Sequence, residues 1–152
     1  MTTYLWHEPI EDLERVLARA AAGDEFHFDD GYASHRQAAH RLAELGRRGT
    51  FFLVTRWIGH EGFLSWDDVG ELVRLGHELG NHTASHVWLG KVPPVARRLE
   101  IREAQDTLGA MVGVTPTSFA YPYGLIDAGA AAAVAEFGFE LARGITEVVA
   151  KR

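Results

Sequence analysis

The stretch FHFDDGYASHRQAAHRLAELGRRGTFFLV, residues 26–54, reads as one complete β-α-β unit. Phe26-His27-Phe28 is a short aromatic-rich run suited to a strand, and Asp29-Asp30-Gly31 breaks it with a turn dipeptide. Ser34-His35-Arg36-Gln37 has the spacing of a capping box for a helix that carries Ala38, Leu42 and Leu45 and stops at Gly46. Thr50 to Val54 is the next strand. A strand, a helix of about three turns and a second strand imply parallel pairing, because an antiparallel hairpin needs only a short turn.

The same rhythm continues on both sides. Upstream, Tyr4-Leu5-Trp6 is a strand, followed by a helix opening at Pro9 with Ile10, Leu13, Val16, Leu17 and Ala20 on one stripe and Gly23 as its stop. Downstream, Ser65-Trp66-Asp67-Asp68 opens a helix and Glu78 to Asn81 forms a strand. The longest helix runs from about Val95 to Val112. Phe119-Ala120 is a brief strand, Ile126 to Phe137 is an alanine-rich helix, and Leu141-Ala142 is the last strand. About six strands alternate with five helices, which predicts an α/β fold with parallel strands. The 152 residues suit a single domain, 1–152, and fall short of the ~200–250 of an eight-fold barrel. The candidates are an open doubly wound sheet or a smaller, incomplete barrel, and in either the ligands sit at the C-terminal ends of the strands.

Composition narrows the function. Fifteen Lys and Arg against 21 Asp and Glu give a net charge of −6 without a basic stripe, which disfavours nucleic acid and anionic membrane as partners. There is no cysteine, so thiolate metal sites and cysteine nucleophiles are excluded. The first residues lack a basic and then apolar leader pattern, and no apolar run approaches the ~20 residues of a membrane span, so the expected location is cytoplasmic. Nothing in the composition speaks to an oligomer.

Two strand ends are chemically loaded. Asp29 and Asp30 are adjacent carboxylates, and His82-Thr83-Ala84-Ser85-His86 holds two imidazoles four apart, which a turn of helix would place on one side. Two histidines and a carboxylate make the ligand set of a hydrolytic zinc site, and also of a mononuclear iron oxygenase. The spare acid beside the ligand acid favours hydrolysis, since it can take a proton from the attacking water.

A third strand end carries Phe119-Ala120-Tyr121-Pro122-Tyr123-Gly124. With it, the order of motifs resembles the NodB-homology polysaccharide deacetylases, carbohydrate esterase family 4. The resemblance runs through Phe28-Asp29-Asp30-Gly31-Tyr32, Thr50 to Val54, Gly76 to His86 and Phe119 to Gly124, covering about residues 25 to 144. It implies that Asp29 is the catalytic base, that Asp30, His82 and His86 hold one divalent metal, best Zn2+, and that the backbone N–H of Tyr123 faces the developing oxyanion. With the resemblance, the expected fold is α/β, a reduced or distorted (β/α)7 barrel with parallel strands, and the implied activity is removal of N-acetyl groups from an amino sugar or polysaccharide. The rival readings are a related hydrolase of a non-sugar amide or imide and a catalytically weak sugar-binding relative.

Two departures from the family pattern stand out. The arginine that braces the base in the third motif is replaced by Ala120. Period-two alternation puts His27 on the face of Asp29, where it either replaces part of that brace or is simply a buried, satisfied histidine. The C-terminal histidine that serves as general acid is also missing, since no histidine follows His86. Tyr4-Leu5-Trp6-His7 ahead of the Asp-Asp-Gly motif resembles the circularly permuted poly-N-acetylglucosamine deacetylase branch, which makes His7 the candidate acid. His35, His40 and His60 are expected on helix or loop surfaces, and His77 in a structural role.

Overall fold

In the computed structural model, residues 1–6 and 12–144 are described, together with the backbone of 148–150. The order is β1 (Thr3–Trp6), α1 (Leu13–Leu17), β2 (Glu25–Asp30), α2 (His35–Glu44), β3 (Thr50–Leu53), α3 (Trp66–Arg74), β4 (Glu78–Asn81), α4 (Pro94–Val112), β5 (Ser118–Ala120), α5 (Ala128–Glu136), β6 (Leu141–Arg143) and β7 (Val148–Ala150). The seven strands form one sheet in chain order. The first six are parallel, and β7 runs antiparallel to β6, a strand absent from the sequence reading. No helix among the described residues is long and apolar enough to cross a membrane.

The sheet curls into part of a barrel, and one contact demonstrates the curl. Arg143 on β6 hydrogen-bonds Asp29 on β2, four strands away. A flat sheet would separate those strands by about 19 Å, at ~4.8 Å per step. Alternation then gives the sheet two chemically distinct faces. Phe26, Phe28, Phe51, Leu53 and Leu79 point outward and pack under α1 to α3 with Leu42, Val69 and Leu72. Trp6 stacks on Phe28, and Phe28 on Phe51 with centroids 4.6 Å apart. Inward, the register places Asp29 beside Phe52 and Phe52 beside Gly80. The Phe52 ring fills the space that a Cβ on Gly80 would occupy, so β4 needs glycine there.

Local signals held unevenly. Ser65 caps α3 with a reciprocal box, accepting from the Asp68 N–H while the Asp68 carboxylate accepts from the Ser65 N–H. The box expected at Ser34 does not form. Ser34 is itself helical in backbone, at φ −62° and ψ −22°, and the helix is entered through a turn in which the Tyr32 carbonyl accepts from the His35 N–H. The helix start at Pro9 lies outside the described residues. Its described part ends at Leu17, earlier than Gly23, where Arg47 donates to the carbonyls of Ala20 and Ala21 and holds the chain in turns.

His77 takes the structural role expected of it. It is buried before β4, accepts from the Gly49 N–H at Nδ1 (3.1 Å) and donates from Nε2 to the Ala39 carbonyl (2.8 Å), tying β4 to the start of β3 and to α2. Those two bonds need the neutral ring, and burial lowers its pKa below the ordinary value near 6.5. The unfolded chain therefore binds the proton more readily. His77 contributes its full stability above about pH 6.5 and loses it as pH falls toward the lowered folded value. Replacing His77 with Phe should cost about 1–3 kcal/mol at pH 7.5 by orphaning the buried Gly49 N–H and removing the second bond to the Ala39 carbonyl. Urea unfolding at pH 7.5 and 5.5 should show a smaller acid-side loss in the variant than in the parent.

Candidate active site

Asp30 ends β2 with a left-handed backbone, φ +77°, which turns its carboxylate from the outward alternation toward the barrel mouth. Gly31 follows at φ +90°, and a side chain there would run into Ile58 and Leu53. Asp30 Oδ1 lies 3.2 Å from His82 Nε2 and 3.2 Å from His86 Nε2. The two histidines do not share a turn of helix as their spacing predicted. They sit on an irregular loop after β4 in which Thr83 (φ +68°) and His86 (φ +58°) both take left-handed conformations, bringing the ring centroids to 4.8 Å.

That loop is held by a ladder of side chains. Asn81 Oδ1 accepts from the Thr83 N–H and Thr83 Oγ1 accepts from the His86 N–H, while Asn81 Nδ2 donates to the Ile101 carbonyl and to Gln105. The N–H and the hydroxyl of Ser85 both donate to Glu100. Ile101, Gln105 and Glu100 belong to α4, so the longest helix acts as the clamp on the histidine loop. His82 donates from Nδ1 to the Ala120 carbonyl at 2.7 Å, which fixes the ring with Nε2 toward Asp30, the atom able to bind a cation.

These donors fit a divalent cation. The ligand atoms lie within 4.8 Å of one another. A tetrahedral zinc with bonds of ~2.0–2.1 Å spaces its ligands by about 3.3 Å, close to the 3.2 Å separations seen here. A protein with one three-ligand site should carry about one such ion per chain by elemental analysis, and His82→Ala should remove most of it. Asn81→Ala, which leaves every ligand in place and frees the loop, should weaken zinc binding by about 10–100-fold in a chelator competition.

Asp29 belongs to a separate arrangement facing the barrel interior. Arg143 Nη2 donates to Asp29 Oδ1, Arg143 Nε donates to His27 Nδ1 at 3.0 Å, and the guanidinium lies 4.4 Å above the Phe52 ring. The side chains of Asp29 and Arg143 are each 3% exposed. This overturns the expectation of a missing brace. Arg143 is the register partner of Ala120, so the charge arrives at the same level from the neighbouring strand. A search for arginine within the third motif could not find it. The available signal was a lone Arg in an apolar strand, Leu141-Ala142-Arg143. Burial, and then the adjacent Arg143 charge, lower the His27 pKa to about 4.

Asp29, Asp30, His82, His86, Tyr121, Tyr123 and Gly124 line a cavity of about 210 Å3 at the strand ends. Tyr123 is 55% exposed, takes φ +60° after Pro122, and places its ring 4.6 Å from that of His86. Trp57 flanks His86 on another side at 5.1 Å. The structure thus gathers Asp29, Asp30, His82, His86 and Tyr123 around one cavity. His7 lies outside the described residues. His35 departs from the surface position expected of it, being fully buried against Phe28 and Tyr32, whereas His60 is exposed and His40 partly so.

Known proteins resemble this chain in sequence and in fold. The family described as Polysaccharide deacetylase matches residues 25–142, from the first residue of β2 to one residue short of Arg143. A chitin deacetylase of Arthroderma benhamiae is 33% identical over 99 residues, 63% of this chain and 26% of that protein. The chain spans 41% and 26% of the two curated relatives it matches, less than half of either. Among solved structures, BC0361, a polysaccharide deacetylase from Bacillus cereus, superposes with a TM-score of 0.83 at 16% identity, over 99% of this chain and 60% of that one. IcaB from Ammonifex degensii gives 0.70 at 24% identity, over 92% and 68%. At these identities the two structures establish the shared fold.

Proposed function

We propose that this chain, which belongs to the polysaccharide deacetylase family, removes N-acetyl groups from an amino sugar within an oligo- or polysaccharide with the help of one divalent cation, zinc. The observation that carries this reading is a buried carboxylate, Asp29, braced by Arg143 and lining the same cavity as the Asp30-His82-His86 donor cluster. A module that only bound sugar would have no use for an acid held in that way. When bound, the cation supplies Lewis acidity, activating water and polarising the acetamide carbonyl.

The protein groups divide the remaining work. Asp29 takes the proton as the water oxygen forms its bond to the acetyl carbon, and Arg143 fixes the orientation of that carboxylate. The carbonyl π electrons move onto oxygen, where the Tyr123 N–H donates a hydrogen bond. His7 gives its proton to the amide nitrogen as the C–N bond breaks, because an amine departs poorly as an anion. Acetate and the free amino sugar are the products.

Asp29→Asn should keep its zinc and lose about 10²–10⁴-fold in acetate release from chitooligosaccharides, the usual contribution of a positioned base. Loss of zinc in that variant would reassign Asp29 as a ligand. His7→Ala should depress hydrolysis of acetamides far more than that of activated esters, whose leaving groups need no proton. It should also remove the alkaline limb of the kcat/KM profile, which an ordinary histidine places near ~6.5. Equal losses on amide and ester, or none on either, would remove His7 from the mechanism.

A further inference from the structure

Glu25, His27 and Asp29 alternate along β2 and share its inward face, forming a column down the barrel interior. His27 is buried in the middle of that column, its ring steeply inclined to that of Phe52 with the centroids 5.3 Å apart. Its Nδ1 receives the Arg143 Nε–H at 3.0 Å, and Nε2 faces the Glu25 carboxylate at 3.6 Å, which in turn accepts from the Thr3 hydroxyl. Arginine has donors only, so the bond to Arg143 requires a lone pair on Nδ1, and the ring must be the neutral Nε2–H tautomer. The Glu25 carboxylate beside Nε2 favours the same tautomer.

An arginine opposite a carboxylate can pair through its Nη1/Nη2 edge or its Nε/Nη2 edge, and a long side chain has several rotamers that reach. Here the choice is closed. His27 occupies Nε, the Gly144 carbonyl accepts from Nη1 at 3.3 Å, and Phe52 covers the guanidinium face, so Nη2 is left to meet Asp29. We propose that His27 is the positioning residue of the catalytic base, acting through Arg143. As a neutral Nδ1 acceptor it selects the single guanidinium orientation that holds Asp29. The role of Asp29 itself rests on the reading above, and the tests below separate the two.

The direct test is nitrogen NMR of the parent protein. His27 should titrate as an Nε2–H tautomer with unprotonated Nδ1, and a coupling across the hydrogen bond should link Nδ1 to the Arg143 Nε–H. A protonated Nδ1 at neutral pH, or an Arg143 Nε–H that exchanges as freely as those of the exposed Arg56 and Arg98, overturns the proposal whether or not Asp29 is the base. The kinetic test compares His27→Leu, which removes the acceptor, with His27→Asn, whose Oδ1 falls near the position of Nδ1. His27→Leu should lower kcat on chitooligosaccharides by about 10–100-fold, the range for a partner acting through another residue, with KM and zinc content little changed. His27→Asn should recover most of that loss, and His27→Leu should add little on an Arg143→Ala background. Equal losses in the two variants with zinc retained would reduce His27 to packing and overturn the proposal. Should His27→Leu fail to fold, the NMR measurement and the Asn variant decide the question alone.

Discussion

The ion pair between Asp29 and Arg143 joins β2 to β6 across the barrel interior, and much of the molecule is arranged around it. Two charges taken out of water are costly, and the loss of one partner from such a pair typically costs 3–5 kcal/mol. The surroundings are built to hold both. Phe52 lies against the guanidinium, and Gly80 makes room for Phe52. The curl of the sheet and the orientation of the acid are thus one structural fact, since flattening the sheet would carry β2 and β6 about 19 Å apart and part Asp29 from Arg143.

A second constraint shapes the mouth of the barrel. Asp30, Thr83, His86 and Tyr123 are the described residues other than glycine with left-handed backbone, and all four stand at strand ends around the cavity. Such conformations cost of order 1–3 kcal/mol each when the residue is strained there, and they persist where neighbours over-determine them. Here the neighbours are identifiable. Asn81 and Thr83 bond the histidine loop to itself, and Glu100, Ile101 and Gln105 bond it to α4. The stability of a long helix is thereby used to aim two short side chains.

The two arrangements are chemically distinct although their acids are adjacent in sequence. Ordinary alternation would send Asp29 and Asp30 to opposite faces of β2, one toward the barrel interior and one toward the helices. The left-handed turn at Asp30 brings the second acid back to the mouth, so that Asp29 pairs with a fixed cation of the protein while Asp30 meets the two imidazoles.

Local chemistry by itself determined the alternation of strands and helices, the parallel direction of the first six strands, and the residue types of the candidate metal site and their order along the chain. Periodicity and turn residues act over a few residues, and the motifs Asp29-Asp30-Gly31 and His82 to His86 are contiguous. Short-range signals also misled where a neighbour intervened. The serine at Ser34 has a capping sequence but a helical backbone, and His82 and His86 reach a common point through left-handed residues in place of a helical turn. The arrival of Arg143 at Asp29 was decided only by the tertiary structure. The two residues are 114 positions apart, and what unites them is the closing of the sheet, which no window of sequence contains. The strand that supplies the brace is set by register, Ala120 beside Arg143, and register is a property of the assembled sheet.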